Sequence, residues 1–280
     1  MPELVRRHNF GIAQGYELGW SVVGQPWMSV FVWVVGHVLI DSGLSHLRRQ
    51  VLELARAHEI EAVLLTHHHE DHSGNAGALK AAYGLPVLGH LATQEKLATP
   101  FRILPYQHWV WGPADPVGVT AVDAPFEAGG HRFEPVHTPG HSRDHTVYWM
   151  PEHGCMFSGD LYLADRIKYF RCDEDIAEQI VSLKKAVLFD VDVLFCAHHP
   201  QRAGGRERLL AKLQFLEEFY GRIGQAVDAG CDGVEELMRR AAVLESLGVR
   251  AFTFGNASAR QMVKSAVRCI ERTRAVDLQG

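Results

Sequence analysis

The chain has 280 residues, 47% of them hydrophobic, and its 28 Lys and Arg against 33 Asp and Glu leave a formal net charge of -5. That length can bury a substantial core in one large domain or two smaller ones, while the mild acidity argues against a nucleic-acid partner held by broad phosphate neutralisation. The start, MPELVRRHNFGIAQG, lacks the apolar stretch of a secretory signal, and the most apolar run, WMSVFVWVVGHVLI, is too short to span a bilayer.

In chain order, residues 17–43 read as β-rich, closing in VLIDSG, a buried strand that runs into an Asp-Ser-Gly turn. A helix is expected over 45–58, with Leu47, Val51, Leu54 and Ala55 on one stripe. IEAVLLT is the next buried strand, NAGALKAAYG the next helix, and PVLGH a further strand; residues 91–118 read as irregular and aromatic. Residues 119–150 alternate as strands, with HRFEPVHTPGH ending in a proline-glycine turn, and CMFSGDLY is one more strand. A helix over 175–188 leads to the strand VDVLFCAHHP, and beyond residue 205 the chain turns helical and charged. No Pro, Gly and Ser linker sets that tail apart, so the expected organisation is a main domain over 1–205 with a helical extension over 206–280 packed on it. The five cysteines, Cys155, Cys172, Cys196, Cys231 and Cys269, form no CxxC pair and read as reduced, mostly core thiols of a cytoplasmic protein.

Four strand ends carry metal-type side chains. His67, His69, Asp71 and His72 fall in LLTHHHEDHSGN, His137 in HTPGH, Asp160 in SGD and His198 in AHHP. Any one of these is ordinary loop chemistry; four in succession behind apolar strands are not. In extended chain, residues i and i+2 point the same way, so His67 and His69 can face one cation while Asp71 and His72, where the chain tightens into a helix, aim at a second. Imidazole and carboxylate donors without thiolates suit zinc, and iron or manganese share them.

The pattern His-x-His-x-Asp-His, followed in order by HTPGH, SGD and a strand-terminal histidine, resembles the metallo-β-lactamase superfamily of hydrolases over residues 17–205. The resemblance implies an α/β fold, a four-layered αββα sandwich with two divalent ions at one edge. It implies that His67, His69 and His137 hold the first ion, that Asp71, His72 and His198 hold the second, and that Asp160 bridges them. It also implies that Asp41 orients the histidine loop from behind. Where the family shows Gly-His-Gly at the last ligand, this chain has Ala197-His198-His199, so two histidines compete; alignment favours His198. His141 reads as structural, His68 and Glu70 as pointing outward, and His90, His108 and His145 as surface or core residues.

The implied activity is hydrolysis, in which hydroxide shared by two ions attacks a small-molecule ester, thioester or lactone, with Asp71 and Asp160 as the carboxylates at the chemistry. Thioesters of the glyoxalase II type and lactones lead among substrates. Alternatives are a mononuclear iron enzyme similar to persulfide dioxygenases and a phosphodiesterase or nuclease of the same superfamily. Two stretches are candidate substrate contacts. FRILPYQHWVWGPADP, with Trp109 and Trp111, could cover an apolar acyl group or pack on the sandwich; LYLADRIKYFRCDED offers Arg166, Lys168, Tyr169 and Arg171 to an anionic group. The helical tail could contribute to a homodimer. No membrane partner is expected.

Overall fold

In the computed structural model, which describes residues 3–277, a seven-stranded sheet occupies the first part of the chain. Its strands lie in sequence order: β1 (Glu3–Asn9), β2 (Gln14–Trp20), β3 (Val30–Val35), β4 (Val38–Ile40), β5 (Ala62–Leu64), β6 (Val87–Gly89) and β7 (Thr120–Ala121). β1 to β4 pair antiparallel, and β4 to β7 pair parallel. The parallel half is reached through α1 (Arg48–Ala57), the one-turn helix α2 (Glu70–Ser73), α3 (Ala76–Tyr83), α4 (Leu91–Leu97) and α5 (Pro105–Val110). A five-stranded sheet follows, built from β8 (Phe126–Ala128), β9 (His131–His137), β10 (Thr146–Met150), β11 (Cys155–Gly159) and, after the short β12 (Phe170–Arg171), β13 (Val193–Cys196). Its spatial order is β13-β11-β10-β9-β8, while β12 pairs separately with β14 (Ala257–Ser258).

The period-two geometry of a strand explains why β3 is apolar at every position. Val30, Val32 and Val34 point into one core with Val51, Leu54 and Leu79 of α1 and α3, while Phe31, Trp33 and Val35 point into a second core with Phe133, Tyr148, Phe157 and Phe195 of the other sheet. β4 and β5 split the same way: Leu39 and Val63 face the helices, Ile40 and Leu64 the second sheet. The two sheets therefore stack through aromatic side chains, with Phe157 on Phe195 at 4.6 Å between centroids and Trp33 against Phe195 at 4.8 Å.

Two expectations fail locally. The β-structure begins at Glu3 rather than near residue 17, since β1 and β2 pair along their whole length. The stretch 91–118 is not irregular: it contains α4 and α5. The signals for both are unusual ones. His90 caps α4 by accepting the N–H of Ala92 at 3.1 Å, and Pro105 opens α5 with a fixed φ and no N–H to leave unpaired.

The chain divides into two compact units that differ from a single cut at residue 205. One comprises residues 1–137, 143–163 and 190–205; the other comprises 138–142, 164–189 and 206–280. In the second unit, α6 (Ile176–Ala186) joins α7 (Gly205–Asp228), α8 (Val234–Arg240), α9 (Leu247–Phe252) and α10 (Ala259–Asp277). Ser265 of α10 ties α6 to that group: its Oγ accepts the N–H of Ile176 at 3.0 Å and donates to the carbonyl of Glu174 at 2.9 Å. Arg272 adds an ion pair to Asp175 at 2.7 Å. Among the described residues the cysteines are free thiols, three of them buried, and no helix is long and apolar enough to cross a membrane.

Candidate metal centre

The carboxyl ends of β4, β5, β11 and β13 deliver the candidate donors to one edge of the first unit. Parallel strands put their carboxyl ends on the same side, and the two sheets are stitched there by Thr146 N–H to Thr66 carbonyl at 2.8 Å and Phe31 N–H to Ala197 carbonyl at 2.6 Å.

Asp41, directly after β4, sits at φ 58 and aims its carboxylate back under the histidine loop. It accepts the backbone N–H of Thr66 at 2.8 Å, the Thr66 hydroxyl at 2.9 Å and His72 Nδ1 at 2.7 Å. With Nδ1 engaged, His72 turns Nε2 towards Asp160 Oδ1 at 3.4 Å and Asp71 Oδ2 at 3.6 Å. His198 is set by the same logic from β13. Its Nδ1 lies 2.7 Å from the Ser29 carbonyl, and its Nε2 faces Asp71 Oδ2 at 3.4 Å and Asp160 Oδ1 at 3.5 Å. A carbonyl or carboxylate on one ring nitrogen fixes the tautomer and offers the other nitrogen as a donor to a cation. His199 is exposed, so of the two competing histidines it is His198 that turns inward. On β5's extension, His67 Nε2 and His69 Nδ1 lie 2.9 Å apart, as the i and i+2 spacing requires.

Within the first unit the donor atoms fall into two groups, each within 4.8 Å: His67, His72 and Asp160; and Asp71, His72 and His198. With His69 beside His67, six of the seven residues expected at the ions are therefore gathered, and His137 is not among them. Its ring stacks on His90 at 4.0 Å between centroids and its Nε2 meets the Arg143 carbonyl at 2.8 Å. His141, at the far end of the same HTPGH turn, belongs to the second unit. The turn depends on Gly140, whose φ is +126 and whose Cβ would stand 2.4 Å from the Gln179 backbone nitrogen. His141 Nδ1 lies 3.5 Å from Glu174 of the same unit. The two histidines are separated by one turn, and strand periodicity ends before it.

The electrostatics ask for positive charge. Burial opposes protonation of His72, but Asp71, Asp41 and Asp160 outweigh it and hold the imidazole well above its ordinary range. Burial likewise opposes the charged form of His198, and Asp160 and Asp71 raise it nonetheless. Burial would lift Asp71, yet facing His72 and His198 keeps that carboxyl below its usual range. His72 Nε2 is buried without a hydrogen-bond partner. A buried imidazole nitrogen facing two carboxylate oxygens at 3.4 and 3.6 Å, without a short hydrogen bond to either, fits a divalent cation between them.

Supporting residues appear that the motif did not mark. His145, fully buried, accepts the backbone N–H of Asp160 at 3.0 Å. Glu70 does not point outward: it is 1% exposed and accepts from Gln107 at 2.6 Å. His68 pairs with buried Asp144 at 2.8 Å. Of the aromatic stretch, Trp111 is buried in the helix-side core with its ring 6.2 Å from His198, whereas Trp109 is 56% exposed. In the second unit Arg166, Lys168 and Tyr169 are exposed, and Arg171 meets Asp173 at 3.2 Å.

A sequence profile of the metallo-β-lactamase superfamily matches residues 26–198. The chain belongs to the metallo-β-lactamase superfamily. Curated relatives include the hydroxyacylglutathione hydrolases of Bdellovibrio bacteriovorus, 32% identical over 40% of this chain, and of Aeromonas hydrophila, 29% identical over 60% of it. The matches span 39% and 60% of those relatives' own length, so the chain covers less than two thirds of either. Among solved structures, a metallo-β-lactamase family protein from Thermus thermophilus superposes with a TM-score of 0.62 at 20% identity, covering 91% of this chain and 93% of that one. The α/β sandwich expected from the motifs is thus the observed fold class, with helices at the carboxyl-terminal end.

Proposed function

We propose that the chain is a dinuclear metal-dependent hydrolase of small-molecule thioesters, esters or lactones, and that thioesters of the hydroxyacylglutathione kind are the first class to test. The observation that carries this reading is the pair of donor groups that share His72, one with His67 and Asp160 and the other with Asp71 and His198. One ion would be held by His67 and His69, the other by Asp71, His72 and His198, with Asp160 serving both. The nitrogen and oxygen donor set suits zinc, and the free cysteines suit a cytoplasmic setting.

When bound, divalent ions in such a site would lower the pKa of a water towards neutrality and polarise the scissile carbonyl. The chain's own residues do the rest. Asp160, anchored through its N–H by His145, is placed to orient the nucleophile and take up its proton at a carboxylate oxygen. Asp41 holds His72 in one tautomer, and the Ser29 carbonyl does the same for His198. Trp111 limits water on the His198 side. Arg166, Lys168, Tyr169 and Arg171, which follow Asp160 closely in sequence, are the proposed grip on an anionic part of the substrate.

The test is elemental analysis of purified protein together with a panel of thioesters, esters, lactones and phosphodiesters, run before and after chelation. The expected result is about two divalent ions per chain and thioester or ester cleavage that chelation abolishes and zinc restores. Undiminished hydrolysis by metal-free protein overturns the reading. So does one iron per chain with oxygen uptake.

A further inference from the structure

The strands β11 and β13 run parallel, and their ladder ends where two of the candidate ligands begin. Gly159 pairs with Cys196, and the last backbone bond between the strands runs from the Ala197 N–H to the Gly159 carbonyl at 3.2 Å. Beyond it the chain after β11 carries Asp160 and the chain after β13 carries His198, so the next two N–H groups, of His198 and His199, have no ladder to donate to. Both donate instead to the sulfur of Cys196, at 3.3 and 3.2 Å. The buried thiol in turn donates to the carbonyl of Tyr162, two residues past Asp160. A thiol is a weak donor and a weak acceptor, yet one sulfur closes the turn that carries His198 and ties it to the turn that carries Asp160.

His198 is thereby held at two points within the first unit. The Ser29 carbonyl takes its ring at Nδ1, at 2.7 Å, and Cys196 takes its backbone. With both ends fixed, Nε2 faces Asp71 Oδ2 at 3.4 Å, and His72 Nε2, buried and without a short hydrogen bond, faces the same oxygen at 3.6 Å. The thiol at the other end of the same strands is a contrast. Cys155 opens β11 opposite Val193 and is equally buried, but it fills the core between the sheets with Phe133 and Phe157 and lies away from either turn.

We infer that Cys196 is a positioning residue for the candidate metal centre: its sulfur fixes the backbone of His198, so that Nε2 stands ready with His72 and Asp71 as one donor group. The inference rests on the proposed function for its ligand, a divalent cation, and it gives Cys196 no contact with that cation. Without the sulfur, two buried-side N–H groups lose their acceptor and the turn reorganises. His198 must then be ordered anew each time the cation binds, so the ion held by Asp71, His72 and His198 binds more weakly while the other is nearly unaffected.

The experiment adds zinc to metal-stripped protein in competition with a chelating dye, and cobalt followed by its visible spectrum, for wild type, Cys196→Ala, Cys196→Ser and Cys155→Ala. The last removes the same atom from the other end of the β11–β13 ladder. Wild type is expected to take up zinc in two steps. Cys196→Ala is expected to weaken one step about tenfold to a hundredfold, keep the other within about twofold and alter the cobalt spectrum. Cys196→Ser, which keeps a donor and an acceptor, is expected to recover at least about threefold of that loss, and Cys155→Ala to keep both steps within about twofold. The inference is overturned if Cys196→Ala keeps both affinities or loses both equally, if Cys196→Ser is no better than Cys196→Ala, or if Cys155→Ala shows the same loss. A wild type that binds two ions yet is inert on the hydrolysis panel overturns the proposed function and leaves this inference standing, whereas one that binds fewer than two ions overturns both.

Discussion

His137 and His141 are four residues apart around one short turn, and they belong to different units. His137 closes β9, where alternation still governs direction, and its ring is committed to His90 and the Arg143 carbonyl. His141 comes after the proline-glycine reversal, so strand periodicity says nothing about where it points. The expected consequence is separable by mutation. His69→Ala should lower bound metal from about two ions per chain to about one and cut hydrolysis at least about a hundredfold, whereas His137→Ala should keep both ions; metal content by mass spectrometry checks it. Equal metal loss in both variants would contradict the assignment. His145 and Asp41 show the other kind of residue, one that touches a candidate ligand and is visible in sequence only in the case of Asp41, through its place in VLIDSG.

At the scale of elements, the site depends on how β11 stops. Gly159 is its last residue, with φ +46, and a Cβ there would lie 2.8 Å from both His145 Nε2 and Thr66 Oγ1. The strand can therefore deliver Asp160 to the centre only through a residue with no side chain. Gly159→Ala is expected to destabilise the fold by about 2–4 kcal/mol, combining left-handed strain with displacement of His145. Denaturant unfolding would measure it, and a change under about 0.5 kcal/mol would show that the neighbours yield freely. The helices α4 and α5 teach the complementary point. Their stretch reads as irregular because their start signals are a histidine cap and a proline rather than the usual Ser, Thr, Asp or Asn, and neither is long enough to show a full apolar stripe.

For the molecule as a whole, the buried carboxylates make folding and cation binding one equilibrium. In metal-free protein His72 and His198 carry raised pKa values, so their protonated forms stabilise the fold fully below the unfolded histidine value of about 6.5, and that stability is lost as pH rises through the folded values. Asp71, depressed, contributes above the unfolded carboxyl value and loses its contribution as pH falls through its folded one. A bound cation replaces the protons on the histidines. Melting temperature in chelator should therefore fall as pH is raised from about 6 to 9, zinc should raise it again by adding about 2.7 kcal/mol of stability per site at a hundredfold excess over Kd, and apparent zinc affinity should tighten with pH. A melting temperature indifferent to both chelator and pH would sink this linkage. Sequence by itself determined the family, the α/β class and the loop from His67 to His72, because ligand spacing within a strand and its following turn is local geometry. Only the tertiary structure committed His137 to His90, buried Glu70 against Gln107, and divided the chain away from residue 205. Those choices depend on which atoms lie opposite after the sheets have stacked, and no local period encodes that.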